Sequence, residues 1–276
     1  MDVRKTAIFS DLDGTLFDSH GLVSERNREA IRAYTEAGGL FAVATGRSFH
    51  NARRFLPDVM LNAPCIVFNG SGVYDLETES YPFAVHLDHD AVWDVLLWAR
   101  ENVPKMDVQV YGEQMTYYVS PKEYATPELV RQLLPHEFVP LEAVQSEPLF
   151  KTMHYGEPED TERLRRYLIE TGAGERVAIV RAMTDIPPYH EHIELLPQNM
   201  NKGIALNECR RLPIYQGRTL IGIGDYRNDL ELLQQADVAC CPSNASDEIK
   251  AAADHILASN DESAVAALIE TLLPKL

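Results

Sequence analysis

The sequence predicts an α/β fold, a parallel-sheet core with a smaller α+β domain inserted into it, and three observations predict this. Roughly the first eighty residues alternate short β-branched runs with amphipathic stretches, the pattern of βαβ units around a parallel sheet. The same alternation returns from about residue 219 to the end of the sequence. Between about Phe83 and His192 the texture changes to alternating runs split by short turns, as in antiparallel pairs. The two ends therefore read as one domain, residues 1–82 with 193–276, and residues 83–192 as the insert, with linkers near Tyr81-Pro82 and Ile186-Pro187-Pro188.

TAIFS opens the core as a buried strand. A helix follows from Ser24 to Ala37, because Ala30, Ile31, Tyr34 and Ala37 recur at helical spacing. Ser24 is its N-cap, and Gly38-Gly39 supply the stop. LFAVAT at 40–45 is the next strand, SFHNARRFL the next helix, and PCIVFNG at 64–70 a third strand ending in a turn. In the insert, DHDAVWDVLLWAREN is a helix and MDVQVYG and MTYYV an antiparallel pair. A helix at TPELVRQLL, a strand near LFKTMHYG, a helix at EDTERLRRYLIE and strands at RVAIVRAM and HIELL follow. The core resumes with TLIGIGD at 219–225 as a strand, RNDLELLQQA as a helix and DVACC as a strand. SDEIKAAA is a helix, DHILA a short last strand, and ESAVAALIETLL a closing helix.

Composition bounds the function. A chain of 276 residues that is 45% apolar can bury a sizeable core, in one large domain or two unequal ones. Its net charge of -17 argues against a surface for nucleic acid or anionic lipid, since both need clustered Lys and Arg. An anionic substrate must then be held by local groups or by a metal ion. Cys65, Cys209, Cys240 and Cys241 show no metal-ligand spacing, and adjacent Cys240 and Cys241 suit a bridge poorly, so a reduced, cytoplasmic protein is expected. No window approaches the roughly 20 uninterrupted apolar residues of a membrane span.

Strands of a parallel sheet deliver their C-terminal ends to one rim, where open α/β folds bind ligands. Asp11 and Asp13 lie at the end of the first strand, Thr45 at the second and Asp225 at the one beginning with Thr219; Asn228 and Asp229 open the helix after it. Carboxylates so close repel one another and raise each other's pKa unless a cation intervenes. Oxygen-only ligands, with no His or Cys among them, suit hard Mg²⁺. Taken alone, Asp-x-Asp-Gly-Thr is more often a capped turn, Thr45-Gly46 an ordinary turn, Lys202 a solvated helix start and Asp225 a helix cap. Four such segments in this order, each at the right end of the right element, are hard to explain by capping. Asp18, beyond the turn with Ser19 and His20, reads as a solvated loop residue.

DLDGTL, TGR, NKGIAL and GDYRNDLELL resemble the four motifs of the haloacid dehalogenase superfamily. The resemblance extends through VFNGSGVY at 67–74 and VACCPSNASDEIKAAADHI at 238–256. An insert placed after ATGR and VFNG is similar to the Cof-type branch, with its Rossmann-like core and α+β cap. The resemblance implies a Mg²⁺-dependent phosphatase that hydrolyses a small phosphomonoester, a sugar phosphate or phosphorylated cofactor, through an aspartyl-phosphate. It makes Asp11 the nucleophile and Asp13 the general acid and base, its side chain kept free for the proton. It implies Mg²⁺ held by Asp11, the backbone carbonyl of Asp13 and Asp225, with Asp229 orienting ligands or waters. Thr45 and Lys202 would hold phosphoryl oxygens beside the Gly46 amide, and Asn228 would support Lys202 or the phosphate.

Substrate choice is then expected from the cap, with Arg181, Tyr189, His190 and His192 as candidates, joined by Arg47, Asn69 and Gly70 from the core. Tyr111, Tyr117 and Tyr118 alternate and read as sheet packing. A phosphosugar mutase is the nearest alternative enzyme. A phosphorylation-responsive receiver module shares the Asp rim, Thr and Lys but is much shorter and does without Asp13. A nicotinamide-binding enzyme fits least, because no strand leads into GxGxxG.

Overall fold

The computed structural model describes residues 1–125, 136–183 and 191–276 and divides into two compact units, Met1–Ala84 with Met200–Leu276, and Val85–Asn199. The first unit is built on a five-stranded parallel sheet in the order His255–Leu257, Val238–Pro242, Thr219–Ile223, Thr6–Ser10, Leu40–Val43. Thr6–Ser10 is buried along its whole length, so this strand is covered on both faces rather than half-exposed. The chain steps from it to Leu40–Val43 on one side, and the later strands build out from Thr219–Ile223 on the other. The order therefore reverses between Thr6–Ser10 and Thr219–Ile223, the kind of switch point at whose strand carboxyl ends open α/β folds bind ligands. The register pairs Ser10 with both Ile223 and Val43, so these three strands end level, and Asp11, Gly224-Asp225 and Ala44-Thr45 leave the sheet together.

Local signals act as expected at several ends. Ser24 caps the helix Glu25–Glu36 by accepting from the Asn27 amide at 3.1 Å, and Asn27, Ala30, Ile31 and Tyr34 form its buried face. Ser48 caps Phe49–Arg54 in the same way. The third strand expected in the core at 64–70 is different. Among the described residues, Cys65–Val67 meets the parallel sheet through a single Ala44–Ile66 bridge and pairs antiparallel with Gly72–Asp75, which pairs with Ser80–Ala84. The physical reason is local: Gly72–Asp75 and Ser80–Ala84 are extended runs joined by a short turn, so a hairpin claims them.

The second unit is a six-stranded sheet in the order Val177–Met183, Glu191–Pro197, Lys151–Gly156, Asp107–Tyr111, Thr116–Tyr118, His136–Phe138. It is antiparallel except for the last pair, whose outer strand His136–Phe138 carries no alternating run of its own in the sequence. Val95 and Leu96 of the helix His89–Asn102, and Leu164 and Leu168 of the helix Pro158–Glu170, pack with Val108, Val110, Ile193 and Leu195 of the sheet. This unit runs to Asn199, seven residues beyond the boundary expected at 192, because Glu191–Pro197 is an interior strand of its sheet. The helix expected at TPELVRQLL and the linker Ile186-Pro187-Pro188 lie outside the described residues. Among the described residues, no helix is long and apolar enough to cross a membrane.

Candidate active site

Asp11 follows Thr6–Ser10 directly, and its amide donates to the Ile223 carbonyl at 2.9 Å, which keeps the side chain at the rim between the two strands. Lys202 is the first residue of the helix Lys202–Cys209, whose cap Asn201 accepts from the Ile204 amide at 2.9 Å. Although it opens a helix, Lys202 is completely buried. Its Nζ lies 2.6 Å from Asp11 Oδ1 and 2.5 Å from Asp229 Oδ1. Asp229 is also fully buried, and its Oδ2 accepts from the amides of Asp225 and Tyr226 at 3.0 and 3.2 Å. Both of its oxygens are thus committed to protein donors, as suits a residue that orients its neighbours. Asp225 Oδ1 accepts from Thr15 Oγ1 at 2.8 Å. Gly14, between these loops, has φ of +78°, and a Cβ there would collide with the Asp225 carboxylate.

The electrostatics of this cluster are unbalanced. Ionisation of all three carboxylates, Asp11, Asp225 and Asp229, against one ammonium would leave two negative charges uncompensated. Burial pushes the Asp11 carboxyl up to about 8, with repulsion from Asp229 adding to it and Lys202 opposing it. Burial likewise lifts Asp225 to about 6, with Asp229 again adding and the Thr15 hydroxyl opposing. For Lys202, burial alone would lower the pKa, but attraction to Asp11 and Asp229 outweighs it and the net direction is up. One ligand oxygen from each of the three carboxylates lies within 4.8 Å of the other two. An oxygen-only cluster that would carry two surplus negative charges on ionisation fits a hard divalent cation in both donor type and charge.

A second group of predicted residues gathers beside Lys202. Thr45 is almost fully buried, and its Oγ1 accepts from the Arg47 amide at 3.2 Å. Asn69 sits in the left-handed region with φ of 53°, its amide donates to the Thr45 carbonyl, and its Oδ1 accepts from Asn228 Nδ2 at 3.1 Å. Gly46 leaves space for the Asn69 amide group, and Gly70 meets the backbone of Asn201 and Lys202 so closely that a Cβ would overlap it. Gly46, Asn69, Gly70 and Asn228 are therefore brought together around the start of the lysine helix.

Asp13 differs from expectation. Its carboxylate is not left free but receives both arms of Arg47, Nε to Oδ2 at 3.1 Å and Nη2 to Oδ1 at 2.8 Å. The pairing arises because the loops after two adjacent parallel strands meet at the rim, a neighbourhood that sequence spacing does not encode. Two further residues had been assigned no role. Asn244 donates to the Gly14 carbonyl at 2.8 Å and accepts from the Asn260 amide at 2.9 Å, while Asn260 Nδ2 donates to the Phe17 carbonyl at 3.0 Å. Together they fasten the Asp11–Phe17 loop from outside; Asn244 lies in the polar run SNASDE and Asn260 in SNDES. Asp18 accepts from the His20 and Leu22 amides, a local turn in keeping with its loop reading.

In the second unit, Arg181 is paired with Glu191 and lies 3.7 Å from Glu162. His192 Nε2 is 3.6 Å from Glu194, and its ring lies against Tyr155. Tyr118 stacks on Phe138 with centroids 4.7 Å apart, in line with a packing role. Tyr189 and His190 lie outside the described residues.

Comparison with known proteins bears on the whole chain. The 5-amino-6-(5-phospho-D-ribitylamino)uracil phosphatase YwtE of Bacillus subtilis is 26% identical over 295 residues, covering 95% of this chain and 96% of that protein. The HMP-PP phosphatase of Klebsiella pneumoniae is 27% identical, covering 94% and 91%. A haloacid dehalogenase-like hydrolase from Bacteroides thetaiotaomicron superposes with a TM-score of 0.81 at 24% identity, covering 97% of this chain and 99% of that one. A family model for haloacid dehalogenase-like hydrolases matches residues 8–269, a span that contains the carboxylate cluster, the buried lysine and the entire second unit. The chain therefore belongs to the haloacid dehalogenase-like hydrolases, in their Cof-type branch, and is a phosphoric monoester hydrolase.

Proposed function

We propose that this protein hydrolyses a small phosphomonoester, a sugar phosphate or a phosphorylated cofactor, in a Mg²⁺-dependent reaction that passes through a phosphorylated Asp11. The observation that carries this reading is the buried Lys202 ammonium between Asp11 and Asp229, in a carboxylate cluster short of positive charge. Mg²⁺ would be held by Asp11, Asp225 and the Asp13 carbonyl, with Asp229 orienting, and would supply the two missing positive charges and polarise the phosphoryl group. Asp11 attacks phosphorus with a carboxylate oxygen, and the bond from phosphorus to the ester oxygen breaks. Asp13 gives its proton to that oxygen as it leaves. Water then attacks the acyl phosphate, Asp13 takes back a proton, and phosphate departs as Asp11 is restored. Lys202, Thr45 and the Gly46 amide hold the transferring oxygens, and the Lys202 ammonium works against the burial that favours a protonated Asp11.

The second unit, Val85–Asn199, is read as the cap domain that selects the leaving group. The two relatives, named for a phosphorylated ribitylaminouracil and for HMP-PP, support a small phosphorylated metabolite as the substrate class. The four cysteines are free and buried, which supports a reducing, cytoplasmic setting. The test is phosphate release from p-nitrophenyl phosphate and a panel of phosphorylated metabolites, with Mg²⁺ present and then chelated. Asp11→Asn is expected to abolish release while the fold persists by circular dichroism, and chelation is expected to do the same reversibly. Retained turnover in either arm would remove the corresponding assignment.

A further inference from the structure

The Arg47–Asp13 pair is built more carefully than a surface ion pair requires. The Asp13 side chain is 63% exposed and Arg47 29%, a setting in which ion pairs contribute little to stability. Yet Arg47 is fixed on every side. Its guanidinium carbon stands 4.8 Å from the centre of the Phe55 ring and 5.9 Å from that of Phe17, and its Nη1 donates to Asn51 Oδ1 at 3.3 Å. Its backbone is fixed as well, since the Arg47 carbonyl accepts from the Phe68 amide at 3.0 Å and its own amide donates to Thr45. Among the described residues Arg47 is the partner of the Asp13 carboxylate, and the fork geometry determines the plane of that carboxylate as well as its position.

We propose that Arg47 is a positioning residue for Asp13, a braced guanidinium that holds its carboxylate in one orientation at the rim between proton transfers. This reassigns Arg47 from the substrate contact that its motif suggested, and it rests on the reading of Asp13 as acid and base. Asp13 acts twice, on the leaving oxygen and on the attacking water, so loss of its orientation has a signature that loss of a phosphate contact lacks. With p-nitrophenyl phosphate the leaving group needs no proton, phosphorylation of Asp11 proceeds, and only attack by water slows. With an alkyl phosphate such as glycerol phosphate, the first step slows as well.

The experiment compares the unaltered enzyme with Arg47→Met and Arg47→Lys on both substrates, counting phosphorylated protein after acid quench and measuring inhibition by inorganic phosphate. Lys keeps the charge and the packing on Phe55 but cannot form the two-armed contact, so it guards against a variant that merely folds poorly. Expected for both variants is phosphoenzyme accumulation with p-nitrophenyl phosphate and none with glycerol phosphate. Turnover of glycerol phosphate should fall about tenfold further than that of p-nitrophenyl phosphate, with phosphate inhibition unchanged. In an Asp13→Asn background, Arg47→Met should cost nothing more, whereas additive losses would overturn the proposal. Equal losses on the two substrates with weakened phosphate inhibition, or no change at all, would also overturn it while leaving the phosphatase reading intact. Absence of phosphate release by the unaltered enzyme would overturn both.

Discussion

Lys202 illustrates how far a single residue can be read. In NKGIAL it is one lysine ahead of an apolar helix pattern, which alone suggests a solvated side chain; in the fold it is fully buried with its ammonium between Asp11 and Asp229. What reverses the reading is a return to the same rim after a sequence separation of 191, which no local pattern carries. A buried charge stripped of its partner is costly, about 3–5 kcal/mol where pairs have been broken. Lys202→Met is accordingly expected to lower stability by about that amount in the absence of divalent cation, read as the shift in urea midpoint. Its kcat should fall by about a hundredfold or more, since it removes a preorganised donor to the phosphoryl oxygens. A variant with full turnover would exclude Lys202 from the site's chemistry.

At the scale of elements, strand positions and most helix caps follow from short-range physics, and the sequence reading locates them well. Ser24 and Ser48 cap the helices they precede, and the apolar runs TAIFS and LFAVAT become adjacent parallel strands. The reading falters where two elements compete for a partner, as at Cys65–Val67, which pairs in the local hairpin sheet instead of extending the core sheet. The turn after it is nonetheless demanding. Gly70 has φ of +97°, and a Cβ there would overlap the Asn201 carbonyl and crowd the Lys202 amide. Gly70→Ala therefore meets both backbone strain and a backbone neighbour that cannot swing aside. It is expected to cost about 1–3 kcal/mol in an equilibrium unfolding measurement. It should also lower kcat by shifting the start of the lysine helix. A neutral effect on both would show that the turn adjusts freely.

For the whole molecule, the buried titratable groups set the pH range of stability. His154 is fully buried on the helix-covered side of the second sheet, and burial lowers its pKa from 6.5 to about 4. The unfolded chain takes up that proton first as pH falls, so the stability contribution is whole above about 6.5 and is lost progressively down to about 4. The loss amounts to about 3 kcal/mol. Glu194 behaves as a carboxylate does when its partners win: burial opposes ionisation, but Lys151 and His192 outweigh it and hold the pKa near about 2. Its contribution is present above about 4.5 and disappears as pH falls toward 2. His154 therefore adds a decline to the urea midpoint between pH 7 and 5, while Asp11 and Asp225, raised by burial, act in the opposite direction over the same range, and His154→Gln should remove that decline from the slope. An unchanged slope in the variant would assign the decline to other groups.

The sequence by itself determined the alternation of strands and helices, the existence of an insert and the residue types that mark the rim, because periodicity, capping and motif order are local or ordered along the chain. It named Asp11, Asp225, Asp229, Thr45 and Lys202 as members of one site. Only the tertiary structure decided how charge is distributed there: which lysine is buried, which carboxylates share it, and that Asp13 is held by Arg47. Those facts depend on strand order and register, which bring together loops that lie far apart in the chain, and on burial, which turns a set of ordinary acids into a cluster short of positive charge. The opening motif supplies the two acids, and the sheet and loops around it decide how deeply Asp11 is buried and which partner the Asp13 carboxylate meets.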